Sequence, residues 1–427
     1  MRISARTPRI NPAHRWFSEA RFGLFIHWGI YSLIGRGEQV LFREHLDQRE
    51  YAKLARRFNP TRFDADAWAK CAKDAGMRYA VLTTKHHDGF CLFDSALTDY
   101  TAARTAAGRD LVAEYIRAFR RHGLRVGLYY SLADWRFPAY FNGPEADPEA
   151  FAAFRDYIHG QVRELCTNYG KIDVMWFDGV WPHSAETWHS QKLIRMIRRL
   201  QPGILINNRL GGGAGAGQGG LLGDFGTPEH HITPDPNRMW ESCQVSTWRL
   251  WGYTRGERWR PADLLIDMLC DAASKGGNLL LNVGPRPDGT FPAPFLKRAA
   301  EIGRWMKKHG EAIYGSGPEV CEFITHGRQT VKGNTLYLLI RFWPGPEVHL
   351  AGLRTKVLRA KLLTTGARVR VDQRGEHLYL CGLPKRTPDP HCAVIALTCE
   401  GRPEAYDWAR HRLWQGDPRR MASWAAG

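Results

Sequence analysis

The stretch Asp173–Gly179, DVMWFDG, decides the fold of this 427-residue chain. Four apolar residues, from Val174 to Phe177, run without interruption until Asp178 closes the run. A continuous apolar run of this length is typical of a β-strand that is buried on both faces, as in a parallel sheet. Because successive strand residues point to opposite faces, Val174, Trp176 and Asp178 share one face. The sequence therefore predicts a buried strand over Asp173–Asp178 that delivers a carboxylate at its carboxyl end.

Apolar runs of the same kind recur along the chain and alternate with helix patterns. The other predicted strands are Phe22–Trp28, Tyr79–Thr84, Arg125–Ser131, Ile204–Asn208 and Asn278–Gly284, with Leu221–Phe225 and Arg238–Cys243 as weaker ones. The stretches between them start with acid or Pro and end with Gly, as helices do. About eight such units predict parallel strands with crossover helices, in an α/β fold of the (β/α)₈ TIM-like barrel type. The stretch Asn208–Arg260 is less regular and predicts an irregular barrel.

The pattern of predicted secondary structure changes after residue 318. Short β-rich segments follow, among them TLYLLIRF and CAVIALTC, and turns rather than helix patterns separate them. Such a series predicts a small antiparallel β-sandwich. We therefore predict a catalytic barrel over residues 1–318, a C-terminal β-sandwich over residues 319–400, and a tail of unassigned role over residues 401–427.

Composition narrows the class of protein. The net charge of +17 is dispersed along the chain without a recognition motif, so we expect no nucleic-acid partner. No run of about 18 apolar residues is present, which predicts no membrane span. Nine scattered cysteines without a CxxC pair predict reduced thiols, and the first residues lack the apolar segment of a secretory signal. Together these features predict a cytoplasmic protein, and they leave its oligomeric state open.

Polar side chains stand near the ends of the predicted strands, where barrel enzymes carry their reactive groups. They are His27, His86, His87, Asp88, Asp178, Asn208, Arg209, Asp224, Glu229 and Glu241. A lone His at a strand end is more often structural, and adjacent residues such as His86 and His87 point to opposite faces of a strand. No HxH, HExxH or CxxC pattern is present, so we predict neither a metal site nor a cofactor. The segment 215–220, GAGQGG, satisfies GxGxxG but neither closes a strand nor opens a helix, so we predict no nucleotide site there.

The set of candidate residues, carboxylic acids with several histidines, an arginine and many aromatic side chains, is the set that an enzyme hydrolysing sugars requires. Two carboxyl groups flank the scissile bond in glycosidases, one as nucleophile or base and the other as proton donor. Sugar hydroxyls need polar partners, and aromatic faces suit the apolar face of a pyranose. The 16 Trp residues fit such a site, although core packing also explains them.

Several motifs, taken in order, point to one family. The segments RFGLFIHWGIYS, TTKHHDGF, GLYYSLADW, VMWFDG, NNR, GDFGTPE, WESC and GGNLLLNVGPRPDG resemble those of glycoside hydrolase family 29, the retaining α-L-fucosidases. The resemblance covers about Trp16–Pro318, and the predicted β-sandwich is similar to that of the family on weaker grounds. It implies exo-acting hydrolysis of terminal α-L-fucosyl residues from glycans or glycosides by a double displacement that needs no cofactor.

The resemblance implies a role for each matching residue. Asp178 corresponds to the nucleophile and Glu229 is preferred as the acid/base. Glu241 stays open as a second acid/base candidate and is otherwise a sugar-binding or structural residue. The positions that correspond to substrate-binding residues are Phe25, His27, Glu38, His86, His87, Tyr129 or Tyr130, Trp176, Arg209, Glu241 and Trp251. The aromatic residues among them correspond to the pocket for the C6 methyl group, and Arg209 corresponds to the partner of the nucleophile.

Gln39, Cys91 and Phe93 depart from the family pattern, the last two as packing changes, and two other functions stay open. Gln39 stands where the family usually has a Trp, which leaves the sugar and linkage preference open. The first alternative is a barrel glycosidase for another sugar with the configuration of L-fucose. The second is a carbohydrate-binding homologue without catalysis. In each case the expected partner is a fucosylated oligosaccharide, or a related glycoside.

Overall fold

The computed structural model describes residues 11–211, 220, 222–235, 237–321 and 324–406. The chain divides into two compact units, one made of Met1–Ala262 with Gly277–Arg304 and the other of Asp263–Gly276 with Trp305–Gly427. The first ten residues, most of the glycine-rich segment 215–220 and most of the tail 401–427 lie outside the described residues.

Eight parallel strands of the described residues form a nearly closed barrel in the first unit. They are β1 Phe22–Ile26, β2 Tyr79–Lys85, β3 Arg125–Ser131, β4 Val174–Asp178, β5 Leu205–Ile206, β6 Phe225–Gly226, β7 Met239–Val245 and β8 Asn278–Val283. Hydrogen bonds join them in the order β5-β4-β3-β2-β1-β8-β7-β6. A parallel bridge between Asn207 and Phe225 then links the two ends of the sheet. The predicted barrel is confirmed.

β5 and β6 are shorter than their predicted bounds, and Asp224 explains part of the difference. The backbone N–H of Asp224 donates to the Ile206 carbonyl at 2.7 Å, while its carboxylate accepts from the Ile206 N–H at 2.8 Å. A side chain therefore replaces a strand partner between β5 and β6, and both strands stay two residues long. The same carboxylate accepts a hydrogen bond from Arg198 at 2.6 Å. Asp224 is thus occupied in joining the sheet ends.

The helices of the described residues have the bounds α1 Arg15–Ala20, α2 Tyr31–Ile34, α3 Val40–Arg43, α4 Gln48–Ala52, α5 Ala65–Asp74, α6 Leu111–Arg121, α7 Pro138–Asn142, α8 Pro148–Thr167, α9 Ser190–Leu200, α10 Ala262–Ser274 and α11 Ala293–His309. Short 3₁₀ turns cover Pro12–His14, Lys53–Arg57, Ala102–Arg104 and Gly310–Ala312. Among the described residues, none of the helices has the length and apolarity that crossing a membrane requires.

Aspartate side chains cap the starts of α5, α6 and α8, as the sequence predicts. The side chains of Asp64, Asp110 and Asp147 accept hydrogen bonds from the backbone N–H three residues later, at 3.0, 2.8 and 2.9 Å. They therefore satisfy one of the free N–H groups at the starts of α5, α6 and α8. A glycine in the left-handed region follows α5 and α6, with φ of 89° at Gly76 and 75° at Gly123.

The interior of the barrel is packed with side chains from every strand. One apolar cluster contains Phe25, Val81, Tyr129, Val174, Trp176, Leu205, Phe225, Cys243 and Leu280, so that each of β1 to β8 contributes at least one member. Val174 and Trp176 are both in this cluster, which confirms that alternate residues of β4 face inward. Asp178 continues the same face and emerges where the strand ends.

Seven antiparallel strands of the described residues form the sheet of the second unit. They are β9 Gly327–Lys332, β10 Thr335–Ile340, β11 Glu347–Ala351, β12 Val357–Leu362, β13 Arg368–Arg374, β14 His377–Cys381 and β15 Ala393–Cys399. They follow the order β11-β14-β13-β12-β15-β10-β9, and β13 pairs first with β12 and then with β14. Alternate residues of β10 and β15 share one buried cluster with residues of β11 and β14. The predicted β-sandwich fold is confirmed.

Candidate active site

Asp178 lies at the end of β4 and is contacted by three side chains. Its Oδ2 accepts a hydrogen bond from the Tyr129 hydroxyl at 2.9 Å, and its Oδ1 lies 3.2 Å from Nη1 of Arg209. The Nε2 atom of His87 lies 3.8 Å from Oδ2. Burial by itself would raise the pKa of Asp178, but the Arg209 cation and the hydrogen bond from Tyr129 outweigh it, and the pKa lies below its ordinary value. The structure therefore holds Asp178 as a carboxylate.

Register explains why Tyr129, and not its neighbour, reaches Asp178. Tyr129 pairs with Trp176 across β3 and β4, and both side chains belong to the inward cluster. Tyr130 points to the opposite face, where its hydroxyl donates to Gln161 Oε1 at 2.8 Å. The choice that the sequence left open between the two tyrosines is thus made by strand alternation.

Arg209 connects two carboxylates. Its Nη1 contacts Asp178, and its Nη2 donates to Oε2 of Glu229 at 2.7 Å. The guanidinium also donates from Nε to Thr227 Oγ1 at 2.9 Å and lies over the Trp176 ring, 4.6 Å from its centre. Burial lowers the pKa of Arg209, but the charges of Asp178 and Glu229 raise it by more than burial lowers it. The guanidinium group therefore stays charged. One buried cation therefore fixes the positions of both acids.

Glu229 follows β6 and lies at the edge of this group. About a fifth of its side chain is exposed (20%), compared with 4% for Arg209. Its Oε1 lies 3.6 Å from Nε2 of His230, and the His230 ring lies 5.0 Å from the Trp251 ring. Glu229 therefore has access to solvent, which a group that exchanges protons with water requires.

His27 is held in one tautomer by a residue that the sequence analysis missed. Its Nδ1 lies 2.7 Å from Oδ1 of Asn282, and Nδ2 of Asn282 donates to the Trp251 carbonyl at 2.7 Å. Because the amide oxygen can only accept, Nδ1 of His27 carries the proton and Nε2 is left with a lone pair. Burial lowers the pKa of His27 to about 3, so the ring is neutral. The signal was present in the sequence, since Asn282 stands two residues after the inward Leu280 on β8.

His87 is oriented in a similar way by Ser131. The Ser131 hydroxyl donates to the Ala133 carbonyl at 3.1 Å and lies 2.7 Å from Nδ1 of His87. The hydroxyl has one proton, so it accepts from Nδ1–H of His87. Burial, offset in part by Asp178, lowers the pKa of His87 to about 4. The unprotonated Nε2 of His87 therefore faces Asp178.

His86 and His87 both lie in the site, although alternation along a strand would separate them. The pairing of β2 with β3 shifts register between Thr83 and Lys85, and the two histidines follow β2 in a turn. Their rings are 4.1 Å apart, and His86 is stacked on Tyr129 with 9° between the planes. The irregularity at the end of β2 is the physical reason that the alternation argument does not apply here.

Glu38 is held by the backbone of a neighbouring loop. Glu38 is buried, and its Oε2 accepts from the backbone N–H groups of Trp251 and Gly252 at 3.0 and 2.8 Å. Its Oε1 has no hydrogen-bond partner among the described residues. Gln39, next in sequence, accepts through its Oε1 from Arg43 Nε at 3.1 Å.

Glu241 lies beneath the site and not in contact with its opening. Its Oε2 accepts from the Tyr79 hydroxyl at 2.5 Å, its Oε1 accepts from Trp176 Nε1 at 2.8 Å, and it is 0% exposed. Burial raises its pKa to about 7. Both oxygens are therefore used by protein donors, which places Glu241 as a support of Trp176 and not, as expected, among the substrate contacts. The same two donors occupy the oxygens that an acid/base would need.

Aromatic rings enclose the inner side of the site. Phe25 lies 5.0 Å from Trp176 and 5.9 Å from Trp251, measured between ring centres. His27 lies 5.1 Å from Trp251, so a polar ring borders the apolar group. Among the described residues, no group of three or more His, Cys, Asp or Glu side chains is arranged to hold a metal ion.

The combination of fold and site defines a class of protein. A parallel barrel carries two carboxylates at the ends of β4 and β6, one arginine joins them, and neutral histidines and aromatic rings surround them. Two carboxylates arranged in this way are the catalytic groups of a glycoside hydrolase.

Comparison with known proteins identifies the family. The family model described as alpha-L-fucosidase matches residues 4–311. The tissue alpha-L-fucosidase of Bos taurus is 32% identical over 359 residues, which cover 78% of this chain and 76% of that protein. The chain belongs to the α-L-fucosidase family, glycoside hydrolase family 29.

Solved structures agree with this result. Alpha-L-fucosidase isoenzyme 1 from Paenibacillus thiaminolyticus is 42% identical, with a TM-score of 0.84 over 91% of this chain and 99% of that chain. A family 29 enzyme from Bacteroides thetaiotaomicron, 32% identical with a TM-score of 0.84 over 92% and 97%, was trapped as a covalent intermediate with 2-fluoro-fucosyl fluoride. The predicted family, enzyme class and function as a retaining α-L-fucosidase are confirmed.

Proposed function

We propose that this protein removes terminal α-L-fucosyl residues from fucosylated oligosaccharides or glycosides, with Asp178 as nucleophile and Glu229 as acid/base. One observation carries the proposal: Arg209 contacts both carboxylates, at 3.2 Å and 2.7 Å. A single guanidinium group cannot contact two carboxylates that are far apart. The shared contact holds the two carboxylates in one site, and the covalent intermediate trapped on the Bacteroides thetaiotaomicron relative supports displacement with retention, which requires a separation of roughly 5–5.5 Å.

The reaction then proceeds in two displacements. In the first, Asp178 attacks the anomeric carbon while Glu229 gives its proton to the leaving oxygen, which forms a glycosyl ester on Asp178 and releases the aglycone. In the second, Glu229 takes a proton from water, and the water oxygen attacks the same carbon and releases Asp178. Both steps invert the anomeric carbon, so the fucose leaves with its original configuration.

Arg209 has a different role toward each acid in this scheme. It keeps Asp178 ionised, because the pKa of Asp178 lies below its ordinary value. Glu229 must carry a proton before it can act as an acid, and a protonated carboxyl gains less from a cation. We therefore propose that the contact between Arg209 and Glu229 opens when the sugar binds and re-forms after the aglycone leaves.

Three acceptors are available for the hydroxyl groups of the sugar. The Nε2 atoms of His27 and His87 are unprotonated, and Oε1 of Glu38 is buried without a hydrogen-bond partner among the described residues. A buried acceptor without a donor is costly, and a substrate hydroxyl would remove that cost. His86 completes this polar wall, while Phe25, Trp176, and Trp251 suit the C6 methyl group.

The test of this function compares substrates that differ at one carbon. Aryl α-L-fucoside is expected to be hydrolysed, and aryl α-L-galactoside, which adds a C6 hydroxyl, should have a kcat/KM at least tenfold lower. The reason is that a hydroxyl buried among aromatic rings loses its hydrogen bonds to water. Rates measured on a panel of aryl glycosides check this result. Equal rates on both sugars would support the broader glycosidase, and binding without turnover would support the inactive homologue.

A second prediction concerns the tautomer of His27. Asn282→Asp keeps an acceptor for Nδ1–H but adds a negative charge beside the ring, so the pKa of His27 is expected to rise by roughly one to three units. Below the new pKa, Nε2 carries a proton and cannot accept from a sugar hydroxyl. The acid limb of the kcat/KM profile should therefore move toward neutral pH, while wild-type His27, with its pKa of about 3, does not contribute to that limb above about pH 4.

The matched control is Asn282→Ala, which removes the acceptor without adding charge. Both variants leave in place the groups that face His27, namely Asp178, Arg209, His86 and His87. Both also lose the donor to the Trp251 carbonyl, so a common drop in kcat/KM reports that loss. Parallel pH profiles for the two variants would contradict the role of Asn282 in setting the protonation of His27.

The other expectations from the sequence stay predictions. They are a cytoplasmic location and the lack of nucleic-acid and membrane partners. The cysteines of the chain are free thiols, and eight of the nine are buried.

A further inference from the structure

Three aromatic side chains border the site without a role in the reaction described above. They are Phe42 of α3, Trp135 after β3 and Trp181 after β4. Phe42 is 58% exposed and Trp181 is 37% exposed, and both belong to the small set of large apolar side chains that face solvent. Trp135 is partly buried. Large exposed aromatic rings beside a binding pocket commonly mark a recognition surface.

These rings are connected to the nucleophile through one histidine. The ring centres of Trp135 and Trp181 lie 5.2 Å and 5.7 Å from that of His87, with 47° and 76° between the planes. His87 in turn lies 3.8 Å from Asp178. The backbone N–H of Trp135 also donates to the His87 carbonyl at 2.8 Å, which fixes the loop. The two tryptophans therefore stand one ring away from the reacting carboxylate.

Phe42 extends this surface outward. Its ring centre lies 5.4 Å from that of Trp135, and the planes differ by only 31°. The Phe42 ring is therefore stacked at a tilt against Trp135, and it is the more exposed ring of the pair. An exposed aromatic ring suits the apolar C–H face of a pyranose.

We propose that Phe42, Trp135 and Trp181 form the subsite for the leaving group, and that this subsite favours a pyranose ring over an aglycone without one. The proposal rests on the proposed function, because it places the fucose at Asp178. The side chains around Asp178 are almost completely buried, with His27, His87 and Arg209 exposed by 4%, 2% and 3%. A glycan attached to the fucose must therefore lie outside this buried group, and Phe42 and Trp181 offer exposed aromatic surface beside it.

The test compares two fucosyl donors that share the sugar but differ in the leaving group. α-L-Fucosyl fluoride has no aglycone to contact the rings, whereas a fucosyl-galactose disaccharide has a pyranose. For Phe42→Ala, the ratio of kcat/KM on the disaccharide to kcat/KM on the fluoride is expected to fall about fivefold. That change corresponds to roughly 40 Å² of apolar surface that is no longer removed from water. Phe42→Tyr keeps the ring and should keep the ratio.

Trp181→Ala and Phe342→Ala complete the design. Trp181→Ala is expected to lower the same ratio, since its ring is exposed beside His87. Phe342 is 65% exposed and belongs to the second unit, so Phe342→Ala is the matched control for loss of a surface phenyl ring and should keep the wild-type ratio. The association state of each variant is followed by sedimentation.

Each outcome decides one question. A ratio that stays at the wild-type value in both Phe42→Ala and Trp181→Ala overturns the proposed subsite. An equal loss on both donors also overturns it, because the rings would then support the pocket itself. A change of association state without a change of ratio would replace the subsite by a contact between two copies of the chain. If the wild-type enzyme does not hydrolyse the fluoride, it is the proposed function that fails.

Discussion

Asp178→Gly is expected to lower kcat on aryl α-L-fucosides by roughly five orders of magnitude, the largest effect of any substitution in this protein. Removal of a nucleophile leaves only the catalysis that binding and charge stabilisation supply. Glycine also opens a space at the end of β4, next to Arg209. A small anion such as azide can enter this space, attack the anomeric carbon and restore part of the rate on substrates with good leaving groups.

The configuration of the azide product makes this test specific. Azide at the position of Asp178 attacks from the face opposite the leaving group in a single displacement, so the product is β-L-fucosyl azide. Product analysis by NMR distinguishes it from the α anomer. Retention of full activity by Asp178→Gly, or formation of the α product, would contradict the assignment of the nucleophile.

Asp173 provides the matched control on the same strand segment. It precedes β4, accepts from the Val126 N–H at 3.0 Å and from Arg125 at 2.8 Å, and is nearly buried. Asp173→Asn should weaken those contacts and lower the free energy of unfolding by about 1 kcal/mol. Its effect on kcat is expected to stay within about threefold, because Asp173 lies at the opposite end of the strand from Asp178.

Glu229→Ala is expected to have the second-largest effect, and the effect should depend on the leaving group. On a fucosyl oligosaccharide, whose leaving oxygen needs a proton, kcat/KM should fall by about 10²–10⁴-fold. On α-L-fucosyl fluoride, which needs less acid assistance, the first displacement should be only slightly slower. The second displacement then limits the rate because no base activates water, so the ester on Asp178 accumulates and is detectable by mass spectrometry.

Azide again gives a stereochemical readout for this variant. In Glu229→Ala it attacks the glycosyl ester from the side that Glu229 occupied, so the product is α-L-fucosyl azide. Glu241→Gln is the comparison, since Glu241 supports Trp176 through Nε1 and has no exposed surface. Its loss of activity should be the same on both donors. If Glu241→Gln showed the leaving-group dependence and Glu229→Ala did not, the two roles would have to be exchanged.

The barrel strands were predictable because each one corresponds to a short continuous run of apolar residues in the sequence. β3 has its predicted bounds, and β4 differs by one residue at Asp173. β5 and β6 were poorly predicted for a specific reason. The carboxylate of Asp224 takes the backbone N–H of Ile206, and a partner supplied by a side chain leaves no pattern of alternating or continuous apolar residues.

The sequence predicted which residue types lie near the strand ends that form the candidate site. It did not predict which of these side chains contact one another. Asp178, Arg209 and Glu229 were candidates from their positions near strand ends, the family resemblance implied their roles, and the structure brings them together. Glu241 was placed at the same level as Glu229, although it lies beneath Trp176. Depth along a barrel depends on how the strands are staggered, and no single segment of sequence carries that information.

The sequence by itself determined the parallel barrel, the appended β-sandwich and the family, because apolar runs, helix caps and motifs are local properties of the chain. Only the tertiary structure decided the chemistry of the individual groups. Asn282 sets the tautomer of His27 from 255 residues away along the chain. Arg209 lowers the pKa of Asp178 across the space between β4 and the segment after β5. These effects depend on distance and burial, which exist only after the strands have closed around them.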